Sequence, residues 1–138
     1  MPTERPAYGA PPTDFATNEV PDGTPRWFKY ISRRLDDLER YPIVDADDDY
    51  PKPPMETIRE AWSVVCELFD SRTPTPSVVP AEEGGIEFAW HKNGWDIVIS
   101  VISGATSVWA RNQALGVNWS SLLSERFEKV RNILESLP

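Results

Sequence analysis

Cysteine and histidine each occur once in this 138-residue chain, as Cys66 and His91. One cysteine excludes an intramolecular disulfide and a thiolate-built zinc cluster, and it suits a reducing compartment. One histidine leaves little for a histidine metal set or a relay of acid–base groups. No apolar run approaches the ~18 residues of a membrane-spanning helix. The first residues also lack the basic start and apolar stretch of a secretory signal. The nucleotide-binding patterns G-x-x-x-x-G-K-[ST] and G-x-G-x-x-G are missing, as are H-E-x-x-H and G-x-S-x-G. Positive charge is short: 14 Lys and Arg stand against 22 Asp and Glu, a net −8 that repels phosphate backbones. The chain is therefore expected to be cytoplasmic, with no membrane or nucleic-acid partner, no metal and no cofactor.

What is present is enough for a core. Apolar residues make up 40% of the chain and six are tryptophan, which suits one folded domain. Of the 14 prolines, all but Pro138 gather in the first 25 residues and between 42 and 80. Pro2, Pro6, Pro11, Pro12 and Pro21 mark residues 1–23 as a flexible arm, leaving 24–138 as a single α+β domain.

Thr24-Pro25 reads as an N-cap followed by proline in the first helical position. Trp27, Phe28, Ile31, Leu35 and Leu38 recur at helical spacing until Pro42, giving a helix over 25–41. Its cations Arg26, Lys29, Arg33, Arg34 and Arg40 alternate with Asp36, Asp37 and Glu39, as on a solvated, salt-bridged face. A second helix is predicted over 54–70, with Met55, Ile58, Ala61, Trp62, Val65 and Phe69 as its apolar stripe. Cys66 beside that stripe is expected to be a small buried hydrophobe.

Ser77-Val78-Val79, flanked by Pro76 and Pro80, suits an edge strand. Asn93-Gly94 is a two-residue hairpin signal, and it sets Trp90 opposite Ile97, Phe88 opposite Ile99 and Ile86 opposite Val101. A second tight turn at Ser103-Gly104 sets Val101 opposite Thr106, Ile99 opposite Val108 and Ile97 opposite Ala110. Asn118 is predicted to cap a last helix carrying Trp119, Leu122, Leu123, Phe127, Val130, Ile133, Leu134 and Leu137. The expected architecture is α+β: two N-terminal helices, a three- to four-stranded antiparallel β-meander, and a C-terminal helix, with the helices on the Trp90 face of the sheet.

The same register fills the other face. Ala89, Val98 and Trp109 form an apolar row across three strands, and His91, Asp96 and Arg111 form a polar row beside it. Glu87, Ser100 and Ser107 form a further row on the far side. Tryptophan framed by polar and charged groups is the composition of an interface hot spot, unless a helix or the arm covers it. Histidine opposite aspartate invites an acid–base reading, but Ser100 and Ser107 lie a row away from His91, and a cross-strand polar pair that aids register accounts for it as well. Asp45, Asp47, Asp48 and Asp49 lie between two helices like an EF-hand loop. Tyr50-Pro51 stands where such a loop needs glycine, so a solvated acidic loop is expected.

Between Leu35 and Val101 the chain resembles a diffuse group of small bacterial and prophage-borne proteins. The resemblance rests on L-x-x-L at 35–38, the acidic proline-bearing loop, I-R-E-A-W at 58–62 and P-S-V-V-P-A-E-E-G-G-I-E-F-A-W at 76–90. It implies the same element order and a cytoplasmic setting, and an accessory role beside toxin–antitoxin or defence modules.

The expected function is a non-enzymatic protein-binding module, an antitoxin- or immunity-like inhibitor that masks a partner. It would use the Trp109 face and the acidic loop against a basic protein surface. Two alternatives stay open: a small ligand-binding protein or enzyme using His91 with Asp96, and a homo-oligomeric structural component paired through the same face.

Overall fold

The computed structural model describes residues 24–40, 43–44, 49–50, 52–102 and 104–138. The arm predicted over 1–23 lies outside them, as do Asp45, Asp47 and Asp48; for Asp49 the backbone alone is described.

Helix α1 runs Arg26–Arg40 and buries Trp27, Ile31, Leu35 and Leu38, the stripe its spacing predicts. It starts one residue later than expected, with the Pro25 carbonyl accepting from the Phe28 amide. Two short strands, β1 (Ile43–Val44) and β2 (Asp49–Tyr50), pair antiparallel before α2 (Met55–Leu68). Strands β3 (Ser77–Ala81), β4 (Gly85–Lys92), β5 (Trp95–Ile102), β6 (Ala105–Asn112) and β7 (Val117–Leu122) follow, then a 3-10 turn and α3 (Phe127–Ser136).

The five long strands form one antiparallel sheet in chain order, β3-β4-β5-β6-β7. Both tight turns set the predicted registers: Phe88 faces Ile99, and Ile99 faces Val108. Asn93 (φ 53) and Gly94 (φ +82) both take the left-handed conformation that a two-residue hairpin demands, and glycine meets it without the Cβ clash.

The meander thus has five strands rather than three or four, because Val117–Leu122, predicted to open the last helix, is strand β7. Trp119, Leu122 and Leu123 do fit a helical stripe. They are outweighed by a hairpin turn at 112–116, where Asn112 Oδ1 accepts from the Leu115 amide at 3.2 Å and Gly116 adopts φ +69. Along β7 the side chains alternate half-buried and exposed, so Val117, Trp119 and Ser121 turn inward while Leu123 is buried just past the strand. The helix begins only at Phe127.

All three helices pack on one face of the sheet. Val78, Ile86, Phe88, Trp90, Ile97, Ile99, Val101, Val108 and Ala110 meet the helical stripes in a single buried cluster. Phe69 sits at its aromatic centre, 5.3 Å from the Trp27 ring, 6.0 Å from Phe88 and 5.4 Å from Trp90. Such rings contribute about 0.5–1.5 kcal/mol per pair beyond their buried area. On α2 the stripe differs from expectation at its margin: Thr57 and Val64 are buried, whereas Met55 and Cys66 are exposed. Met55 and Cys66 stand eleven positions apart, which returns to the same flank after about three turns. That flank points away from the sheet.

Polar ties join the layers. The Arg34 guanidinium of α1 donates to the Val78 carbonyl of edge strand β3 through Nε (3.1 Å) and an Nη nitrogen (3.0 Å). Arg131 of α3 donates to the Glu67 carbonyl of α2 at 2.8 Å, and the Asn93 side chain donates to the Leu137 carbonyl. Arg40 pairs with Asp36 at 2.9 Å, the kind of exposed ion pair that the charge pattern of α1 predicts.

Candidate functional site

With every helix on the other side, no described residue covers the second face of the sheet. Its middle row reads Ser77, Ala89, Val98, Trp109, Ser120 across the five strands. One flanking row is His91, Asp96, Arg111, Asn118, and the other is Val79, Glu87, Ser100, Ser107, Leu122. The three rows read from sequence are thus brought together as expected, each lengthened by the strands that complete the sheet. Helix α1, one of the covers considered for this face, lies on the opposite side.

Trp109 is the one tryptophan of the six on this face. Trp27, Trp62 and Trp90 are buried in the core, and Trp95 and Trp119 pack against it. The ring of Trp109 is held rather than loose. Its Nε1 donates to Asn118 Oδ1 at 3.0 Å, and the Arg111 guanidinium lies 5.6 Å from the ring centroid. Arg111 in turn donates to Asp96 Oδ2 at 2.7 Å, and His91 Nδ1 meets Asp96 Oδ1 at 2.6 Å. A continuous polar chain, His91–Asp96–Arg111, therefore runs beside the tryptophan.

The hydrogen bond from His91, and then that from Arg111, hold the Asp96 carboxyl below its usual 3.8. Asp96 is consequently an anion engaged on both oxygens, a poor proton acceptor for any third group. Ser100 Oγ sits 3.4 Å from Glu87 Oε2, in the row on the far side of Trp109 from His91. The face thus holds a histidine–carboxylate pair, and among the described residues no hydrogen bond joins His91 to a hydroxyl or thiol. Among the described residues no three His, Cys, Asp or Glu side chains gather as a metal site, and no helix is long and apolar enough to cross a membrane.

The face also carries apolar groups at its margins that pairwise reading of the central strands did not reach. Val79 is 39% exposed on β3, Leu122 46% on β7 and Ile102 39% at the end of β5. Val79 and Leu122 end the same row at opposite sheet edges. Leu122 could be placed here only once β7 was recognised as a strand, for which Gly116 was the available signal.

No family model matches this chain, and neither a curated protein nor a solved structure matches it.

Proposed function

We propose that this chain is a non-enzymatic protein-binding module that masks a partner protein, as an antitoxin or immunity protein does. The observation that carries this reading is the sheet face that no described residue covers, with Trp109 fixed in its middle row by Asn118 and Arg111. A pre-ordered aromatic gives up little conformational freedom on docking, which is what makes tryptophan an efficient interface anchor. Ala89 and Val98 extend the apolar centre, while His91, Arg111, Glu87 and the serines supply a polar rim. The net charge of −8 favours a partner with a basic surface, since opposite charge speeds encounter and selects against acidic competitors. The acidic residues Asp45, Asp47, Asp48 and Asp49 belong to that electrostatic component of the proposal.

The test is affinity purification of the tagged full chain from its own host, followed by mass spectrometry and sizing, beside the Trp109→Ala chain. The expected result is one stoichiometric basic protein retained by the natural chain and lost from the variant. Retention of that protein at unchanged affinity by the variant would overturn the reading. A chain recovered alone as a monomer, or as an oligomer of itself, would overturn it too.

A further inference from the structure

We infer that a second site, an anion-binding cleft for a phosphorylated small molecule, lies where the 71–77 segment passes the end of β4. The cleft encloses about 710 Å³, within the roughly 300–1,000 Å³ typical of small-molecule sites. Arg26, Arg72, Lys92 and His91 line it together with the hydroxyl-bearing Thr75 and Ser77, and among the described residues no Asp or Glu side chain does. In a protein with a net charge of −8, that concentration of cations is out of proportion. No ion pair among the described residues engages Arg26, Arg72 or Lys92.

The cleft is built rather than incidental. Trp27 Nε1 donates to the Asp70 carbonyl and Trp90 Nε1 to the Pro74 carbonyl, both at 2.8 Å, so two core indoles pin the loop at either end. Between them Asp70 Oδ1 accepts from the Arg72 amide at 2.8 Å, and Thr73 Oγ1 accepts from the Asp70 amide at 2.9 Å. One oxygen of the Asp70 carboxylate, Oδ1, is thereby engaged within its own turn. Arg72 stands on that fixed turn, Lys92 on the last position of β4, and Arg26 on the first of α1. Guanidinium forks and an ammonium lining one cleft with hydroxyl donors match the several oxygens and multiple charge of a phosphate. The His91 Nδ1 is taken by Asp96, which leaves Nε2 as its second polar atom.

Titration of the full chain with inorganic phosphate, inorganic pyrophosphate and AMP, followed by backbone amide and indole resonances, tests the site. Saturable shifts are expected at Arg72, Thr75, Lys92 and the Trp90 indole, with the Trp109 indole unmoved. Arg72→Ala and Lys92→Ala should each weaken binding about tenfold or more, and Lys129→Ala, remote from the cleft over Trp119, should not. AMP binding more tightly than the inorganic ions assigns an organic phosphate; the reverse assigns the free ion. Absence of saturation with all three by about 10 mM overturns the inference, as would equal affinity in the Arg72→Ala/Lys92→Ala chain.

Discussion

Trp109 Nε1 donates to Asn118 Oδ1 at 3.0 Å, although the residue directly across from Trp109 on β7 is Ser120. The bond is diagonal and exposed, so it orients the ring more than it stabilises the fold. Asn118→Ala should therefore cost no more than about 0.5–1 kcal/mol in urea unfolding. The Trp109 indole proton should at the same time exchange faster with water, and affinity for the proposed partner should fall. Exchange unchanged from the natural chain would show that Arg111 alone holds the ring.

Asp96 gives the face a pH dependence with a definite sign. Its folded-state pKa is below 3.8, lowered by His91 first and Arg111 second. The group's contribution to stability is therefore complete above the unfolded value and is lost as pH falls through the folded one. Carboxyl resonances should show Asp96 titrating below 3.8 in the natural chain and moving upward in His91→Ala. A midpoint that His91→Ala leaves in place would assign the effect to Arg111.

The β4–β5 hairpin separates backbone strain from crowding. Gly94 has φ +82, and a Cβ added there would meet the Asn112 side chain at an ordinary 3.5 Å. Gly94→Ala should then destabilise by about 1–2 kcal/mol through the left-handed backbone alone. Gly94→Asn should cost less, because asparagine tolerates that region. Equal losses in the two variants would point to crowding against Asn112 instead.

What was legible in the sequence followed from agreement between two independent signals. For β4, β5 and β6 the alternation of Ile86, Phe88 and Trp90 with polar residues agreed with glycine turns at 94 and 104, so register and both faces could be read. In β7 the signals conflicted, since Trp119, Leu122 and Leu123 fit a helical stripe while Asn112 and Gly116 marked a hairpin. The anion-binding cleft had no sequence signature at all. It joins the start of α1, a loop after α2 and the tip of β4, three segments whose proximity exists only once Trp27 and Trp90 have pinned the loop.

Cys66 tests where the apolar stripe of α2 ends. Its side chain is exposed on the same flank as Met55, outside the buried line of Ile58, Ala61, Val65 and Leu68. A bulky thiol reagent should modify the native chain within about tenfold of the rate on the urea-unfolded one, as accessibility governs such reactions. Modification should leave the fold intact by circular dichroism. Protection by several orders of magnitude would place Cys66 in the core.

Arg34 tests how the edge of the sheet is guarded. Among the described residues strand β3 pairs only with β4, and edge strands expose backbone groups that can template pairing with another chain. Pro80 removes one amide from β3, and the Arg34 guanidinium engages the Val78 carbonyl through two nitrogens. Arg34→Met preserves most of the aliphatic stem while deleting both donors, leaving a partly buried carbonyl without its charged partner. The expected loss is about 1.5–3 kcal/mol, the range for a hydrogen bond to a charged group. Arg34→Lys should recover only part of it, because one ammonium cannot reproduce the two-nitrogen fork. Sedimentation of the Met variant at rising concentration should also show self-association that the natural chain lacks. A variant that loses stability yet stays monomeric would assign Arg34 to docking α1 on β3 and leave edge protection to Pro80.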